Sequence, residues 1–526
     1  MDGDGTRWAP PRPGRPSSLR AVRDPAGSSG SALRSAAGSA AARSVRASPH
    51  PRRRLSTARL VLVAYLAGAA VVALVVGGGA ALQPVYGSDE PYGGTTFQEV
   101  RQSPSPSGWS VPLAEEFAPG LPTDCPGFRA GGVDARHEIV TATLPPAGST
   151  GSDAACEVSS PSTPGHLVMI DPQTGRITWR RSLERDLGMQ VFSVVWHASR
   201  SAGAVVVGVA GSRGDYLLSL DTATGRTVSS TRVDAPDDAI NFAVSGRLVV
   251  SVAPDIGGAV NTYSLRRIDR LGDRLWSRSI SSVLFPQLLP DRLVVPLPDR
   301  TVSVDGATGA ETAWKHDLRD LEGVRVSGET VVAQTVPKGV GLQPSVVLLD
   351  RTGRTLWSRP APSISGLTVS RGCVVLETGS ERVTCLDPAD GRARWSTAVA
   401  GSVVGTPEGS TTSDVETIGP VHARDTALTV SELDGESGRV RFQTSLPRGA
   451  AVVGQSTATG YALGTSSATG ASTLLAFDLA SGRTLWTLSR GQLDVWGGRP
   501  VEITRRGVAR ELVDGRGEPG RGMLVG

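Results

Sequence analysis

"LVMIDPQTGRITWR" (Leu167–Arg180) reads as two short strands around a tight turn. Val168 and Ile170 lead in with the alternation of a half-buried strand. Asp171 can fold its carboxylate onto backbone N–H groups of the turn, Pro172 fixes the next φ, and Gly175 supplies the positive φ that ends it. Trp179 then enters the second strand with an indole to bury.

The same pattern returns as "LLSLDTATGRTV", "SVVLLDRTGRTLW", "VTCLDPADGRARW" and "LLAFDLASGRTLW". Aligned on the acid, there are eight copies, at Asp171, Asp221, Asp269, Asp305, Asp350, Asp387, Asp434 and Asp478. Their spacings run from 36 to 50 residues, which suits four strands and their turns and exceeds a helical-pair repeat. Gly175, Gly225, Gly309, Gly353, Gly391, Gly438 and Gly482 close the turns. Trp179, Trp276, Trp314, Trp357, Trp395, Phe442 and Trp486 follow as wedges between neighbouring sheets. Ser229 breaks the pattern in the second copy, and Trp314 sits one place late.

A four-stranded sheet has faces it cannot bury alone, and a ring of copies buries them all. The expectation is an all-β, eight-bladed β-propeller over residues 125–515, or seven blades if one copy is an insertion. "PVEITRRGVARELVD" (Pro500–Asp514) is expected to pair with the strand near His137–Leu144 and complete the first blade. On these motifs the chain resembles the pyrroloquinoline-quinone (PQQ)-repeat propeller superfamily, which includes quinoprotein alcohol dehydrogenases and the non-enzymatic assembly factor BamB. The resemblance implies the fold and leaves enzyme and scaffold both open.

Upstream, "LVLVAYLAGAAVVALVVGGGAAL" (Leu60–Leu82) holds 23 residues without a charge. As a helix it reaches about 34 Å, enough to span a bilayer. Its long charged lead argues against a cleaved signal. Residues 1–59 carry twelve Arg and three Asp, so the surplus lies before the span and the N-terminus is expected in the cytoplasm. The remaining chain has 42 basic and 47 acidic side chains, which gives no nucleic-acid footprint. Residues 1–58 are expected to be a disordered Arg-rich tail, 59–82 a transmembrane helix, 83–124 an extracytoplasmic stalk and 516–526 a flexible tail. Arg52–Arg54 flank the span and would hold lipid head groups.

An extracytoplasmic fold permits disulfides. A turn near Gly379 sets Cys373 almost opposite Cys385, which leaves Cys125 to pair with Cys156; two other connectivities are open on paper. Catalytic signals are missing. Neither lysine, Lys315 or Lys338, follows a phosphate-binding loop, and the six histidines show no HExxH spacing. The quinoprotein dehydrogenases of the resemblance use adjacent cysteines and a calcium ion with an Asn ligand. This chain has no adjacent cysteines and only Asn241 and Asn261. The expected function is therefore a membrane-anchored bacterial scaffold that binds an envelope protein or a wall-derived ligand, with no cofactor, metal or catalytic residue. The alternative is a PQQ-dependent dehydrogenase or another propeller enzyme.

Overall fold

The computed structural model describes residues 97–515, apart from 118–126, 144–164, 234–240, 255–258, 282–284, 337–342, 362–363, 371, 379–381, 400–401, 406–414, 419–426, 448–449 and 466–471. The predicted span Leu60–Leu82, both predicted tails, Cys125 and Cys156 lie outside these residues. Among the described residues no helix is long and apolar enough to cross a membrane.

Nine four-stranded antiparallel sheets follow one another along the chain, the arrangement of a β-propeller. Sheets 1 to 8 occupy residues 127–182, 191–233, 242–281, 287–313, 321–360, 364–398, 402–447 and 450–489, each in the order of its strands. Sheet 9 joins Gln492–Trp496, Arg499–Ile503 and Val508–Glu511 to an N-terminal strand, Ser110–Pro112. First strands of successive sheets approach one another, as Val191–Ser199 does Phe242–Ser245 and Leu321–Ser327 does Ile364–Ser370. The first strand is therefore innermost and the fourth outermost.

Why the inner strands read as continuous apolar runs is clear in Ala204–Gly211. Val205, Val207 and Val209 pack toward sheet 1, while Ala204 and Val206 pack toward sheet 3. A strand buried on both faces has no polar side to alternate with. Nine such apolar cores each join two consecutive sheets, and the last two close the ring. Tyr461 and Trp486 of sheet 8 meet Leu493 of sheet 9. Trp496 and Ile503 of sheet 9 meet Val140 and Val168 of sheet 1.

Two expectations need correction here. The hairpin within Pro500–Asp514 forms, but it does not complete sheet 1. Val508–Glu511 pairs with Ser110–Pro112, whereas His137–Thr143 pairs with Gly127–Asp134 and His166–Asp171. Eight hairpins therefore accompany nine sheets, because the ninth is assembled from both ends of the fold. Nor are residues 97–117 a stalk. Phe97 and Val100 are buried at 4% and 0% exposure, Ser110–Pro112 is a strand, and helix α1 (Leu113–Phe117) buries Leu113 and Phe117.

The repeat motif is a seam device. Asp221 accepts from the N–H and hydroxyl of Thr224, and Asp305, Asp350, Asp434 and Asp478 hold their turns in the same way. Asp171 and Asp387 accept from the N–H groups of Gln173 and Ala389. All seven closing glycines have φ between 66° and 79°. Four indoles then lie on the turn of the next sheet: Trp179 Nε1 donates to Thr222 O, Trp314 to Arg351 O, Trp357 to Pro388 O and Trp395 to Gly435 O. A Cβ added at Gly225, Gly391 or Gly438 would come within 2.5–2.7 Å of those rings.

Asp269 departs from the pattern. Its hairpin is a two-residue turn, and its carboxylate pairs with Arg267 at 2.8 Å. Trp276, which follows, is still buried, with Nε1 on Glu311. The missing wedge at Ser229 belongs to the same seam. Without a glycine turn to receive an indole, the Ser229 hydroxyl instead donates to Ile268 O and accepts from Leu271 N–H.

The turn carboxylates set a pH limit. Hydroxyl donors, Thr224, Thr308 and Ser437, lead in holding Asp221, Asp305 and Asp434 below the ordinary carboxylate range. Arg319 takes Asp317 down to about 2. A folded-state pKa below the unfolded value, near ~3.9, gives stability that is present above that value and lost as pH falls through the folded one. The melting temperature is expected to hold from neutral pH down to about 5 and to fall below about 4. Circular-dichroism melts that stay level down to pH 3 would contradict this.

Candidate functional site

With the seams locked alike, differences between sheets concentrate on the inner strands. In sheet 2, Val191 pairs with Gly211 and Ser193 with Ala210, so Phe192 between them has no partner and forms a β-bulge. First strands of sheets 5 to 8 also bulge: Ser365 of sheet 6 lies at the Phe192 end, Gly323–Val324 of sheet 5 mid-strand, and Val404 and Val453 of sheets 7 and 8 toward the Asp turns. A bulge re-aims its side chain and ends local pairing, which is why bulges collect at rims and binding sites. Phe192 and Ser365 mark the mouth opposite the Asp turns, the bulged mouth.

Phe192 is 59% exposed, the most exposed large apolar side chain among the described residues. Further along the strand, the His197 ring packs edge-on to Phe242 at 4.9 Å. It keeps an exposed edge, but the surrounding wall desolvates it and lowers its pKa. Trp196 packs on Gly131, where a Cβ would lie 2.4 Å from the ring. On the inner strand of sheet 9, burial raises the pKa of Asp494, whose carboxylate accepts from Val495 N–H and Trp496 Nε1.

The other mouth carries the Asp turns and the short turns between first and second strands. Here the chain enters the fold through a strap, Phe97–Ser105. Gln98 N–H donates to Gly498 O, and Glu99 accepts from Ser456, Ala458 and Thr459. Arg101 pairs with Asp478 at 2.6 Å. Trp486 Nε1 donates to Val100 O, so the strap receives the eighth wedge as a turn would. Asp514 accepts from Gln102 N–H and acts as a ninth turn acid. Trp109 is the ninth wedge: it donates to Pro172 O, covers Gly175 and stacks on Trp496 at 6.0 Å. Most of these contacts span 357 to 412 positions and the shortest, Trp109 to Pro172, spans 63, so no local pattern reveals them.

Cys373 and Cys385 form a disulfide in the seam between sheets 6 and 7. They are not directly opposite: Cys385 pairs with Val375, which sets the bond on a diagonal. Among the described residues no group of three or more His, Cys, Asp or Glu side chains could hold a metal ion.

The family model described as outer membrane protein assembly factor BamB matches residues 163–336 and 343–501. No curated protein matches the chain. Solved structures with similarity include BamB from Moraxella catarrhalis, 15% identical with a TM-score of 0.33 over 78% of this chain and 98% of that one. The computationally designed Ika8 protein is 14% identical with a TM-score of 0.31, over 72% and 93% of the two chains. The dihydro-heme d1 dehydrogenase NirN is 14% identical with a TM-score of 0.38, over 62% and 71%. With 333 of its 526 residues inside the family match and one Asp-turn and wedge repeated from sheet to sheet, the chain belongs to the BamB-like family of PQQ-repeat propellers.

Proposed function

We propose that this protein is a non-enzymatic scaffold of the bacterial cell envelope, anchored by Leu60–Leu82, which binds a protein partner at the bulged mouth of the ring. Phe192 carries the reading: a phenylalanine 59% exposed on a bulge, within an otherwise closed set of apolar seams, is a contact held ready. The ring behind it costs little to order on binding, because every seam is already packed. The family match supports a binding role, and the absence of adjacent cysteines argues against the quinone site of the dehydrogenases.

A photo-crosslinking amino acid placed at position 192 of the full chain tests this in intact cells. A discrete protein adduct is expected there, and none with the crosslinker at Arg392, an exposed position in the Asp387 turn at the opposite mouth. Equal labelling at both positions would reject the bulged mouth as the contact.

A further inference from the structure

The opposite mouth has its own chemistry. In six sheets the residue after the turn glycine is arginine: Arg176, Arg226, Arg354, Arg392, Arg439 and Arg483. All six are exposed. The turn aspartates point back into their own turns, so the guanidinium groups form most of the outer layer, with the exposed carboxylates of Asp390 and Glu436 among them. Two of the six ion-pair with a turn carboxylate, Arg354 with Asp350 at 3.2 Å and Arg392 with Asp390 at 3.4 Å, yet remain 64% and 81% exposed.

A second observation is independent of charge. Of the four exposed large apolar side chains among the described residues, three stand one or two positions after a crown arginine: Val228 at 49%, Leu356 at 45% and Val440 at 40%. They begin outer strands at this same mouth, where no neighbouring sheet covers them. A third is the route of the chain, since the strap Phe97–Ser105 enters here, against the turns of sheets 8 and 9. Exposed guanidinium groups beside exposed aliphatic side chains are what an anionic bilayer surface recognises, through phosphate contact and shallow burial of the aliphatic groups.

The geometry points to the Asp-turn mouth as a membrane-contacting rim that rests on anionic lipid head groups, with the bulged mouth turned away from the bilayer. This orientation rests on the anchored reading above.

Vesicle co-sedimentation of the Leu82–Gly526 unit, which carries all nine seams and lacks the span, tests the rim apart from the anchor. Binding is expected to phosphatidylcholine vesicles containing about a third phosphatidylglycerol, at low salt, and not to pure phosphatidylcholine. Replacing Arg226, Arg354, Arg439 and Arg483 together by Gln should weaken it at least about tenfold. Replacing Val228, Leu356 and Val440 by Asn should weaken it with its salt dependence unchanged, and both variants should melt like the parent. Equal binding to the two vesicle types, no binding, or full binding by the arginine variant would overturn the rim. So would a protein crosslinked at position 228 in cells in place of lipid. Failure of the anchor would show separately, as release of the full chain from membranes by alkaline carbonate.

Discussion

Trp109→Ala is expected to cost about 3 kcal/mol of unfolding stability, at the low end for a buried tryptophan because this one is only partly buried. The residue lies outside every hairpin repeat, yet three contacts meet on it. Its ring stacks on Trp496, covers Gly175 and donates to Pro172 O at 2.9 Å. It therefore joins the N-terminal strand, sheet 9 and sheet 1 at the point where the ring closes. Trp109→Phe keeps the apolar cover and loses the hydrogen bond, so it should cost about 1 kcal/mol. Urea titrations of the two variants separate these contributions. If Trp109→Ala unfolds within about 0.5 kcal/mol of the parent, closure does not depend on this wedge.

Local chemistry decided what the sequence disclosed. An aspartate and a glycine three or four positions on make one hairpin turn, and an aromatic follows in all of these but the Asp221 copy, so seven turns and six of their wedges were legible. Asp269 was not, because a two-residue turn can carry the same acid without folding it inward, and Gly272, three positions on as Gly353 is from Asp350, masks the difference. The ninth motif was illegible for a different reason. Asp514, Gln102 and Trp109 come together only after the ends of the fold meet, and a pattern read along the chain finds no hairpin there. In retrospect "LVDG" (Leu512–Gly515) shows the lead-in, the acid and a glycine. Phe192 left no signal at all. "VFSVV" gives no sign of which residue the neighbouring strand will skip, since a bulge is set by register between strands.

The wedge itself can be weighed with two glycines that share a backbone conformation. Gly203 has φ 59° and open space where a Cβ would go, whereas Gly438 has φ 68° and the Trp395 ring 2.5 Å away. Gly203→Ala should therefore report only the left-handed backbone, about 1 kcal/mol. Gly438→Ala adds an overpacked seam, for a total of about 3–4 kcal/mol. The Trp395 indole donates to Gly435 O in the same turn, so the ring has no room to retreat without losing that bond. A double-mutant cycle then isolates the contact. In a Trp395→Ala background the ring clash is gone and only Thr397 Oγ1, at 2.8 Å, still crowds the site, so Gly438→Ala should cost clearly less than in the parent. If the cost at Gly438 is unchanged by removing the indole, the glycine is required by its turn alone. The seams would then be held by their aliphatic strands, with the tryptophans filling space rather than fixing the position of each sheet on the next.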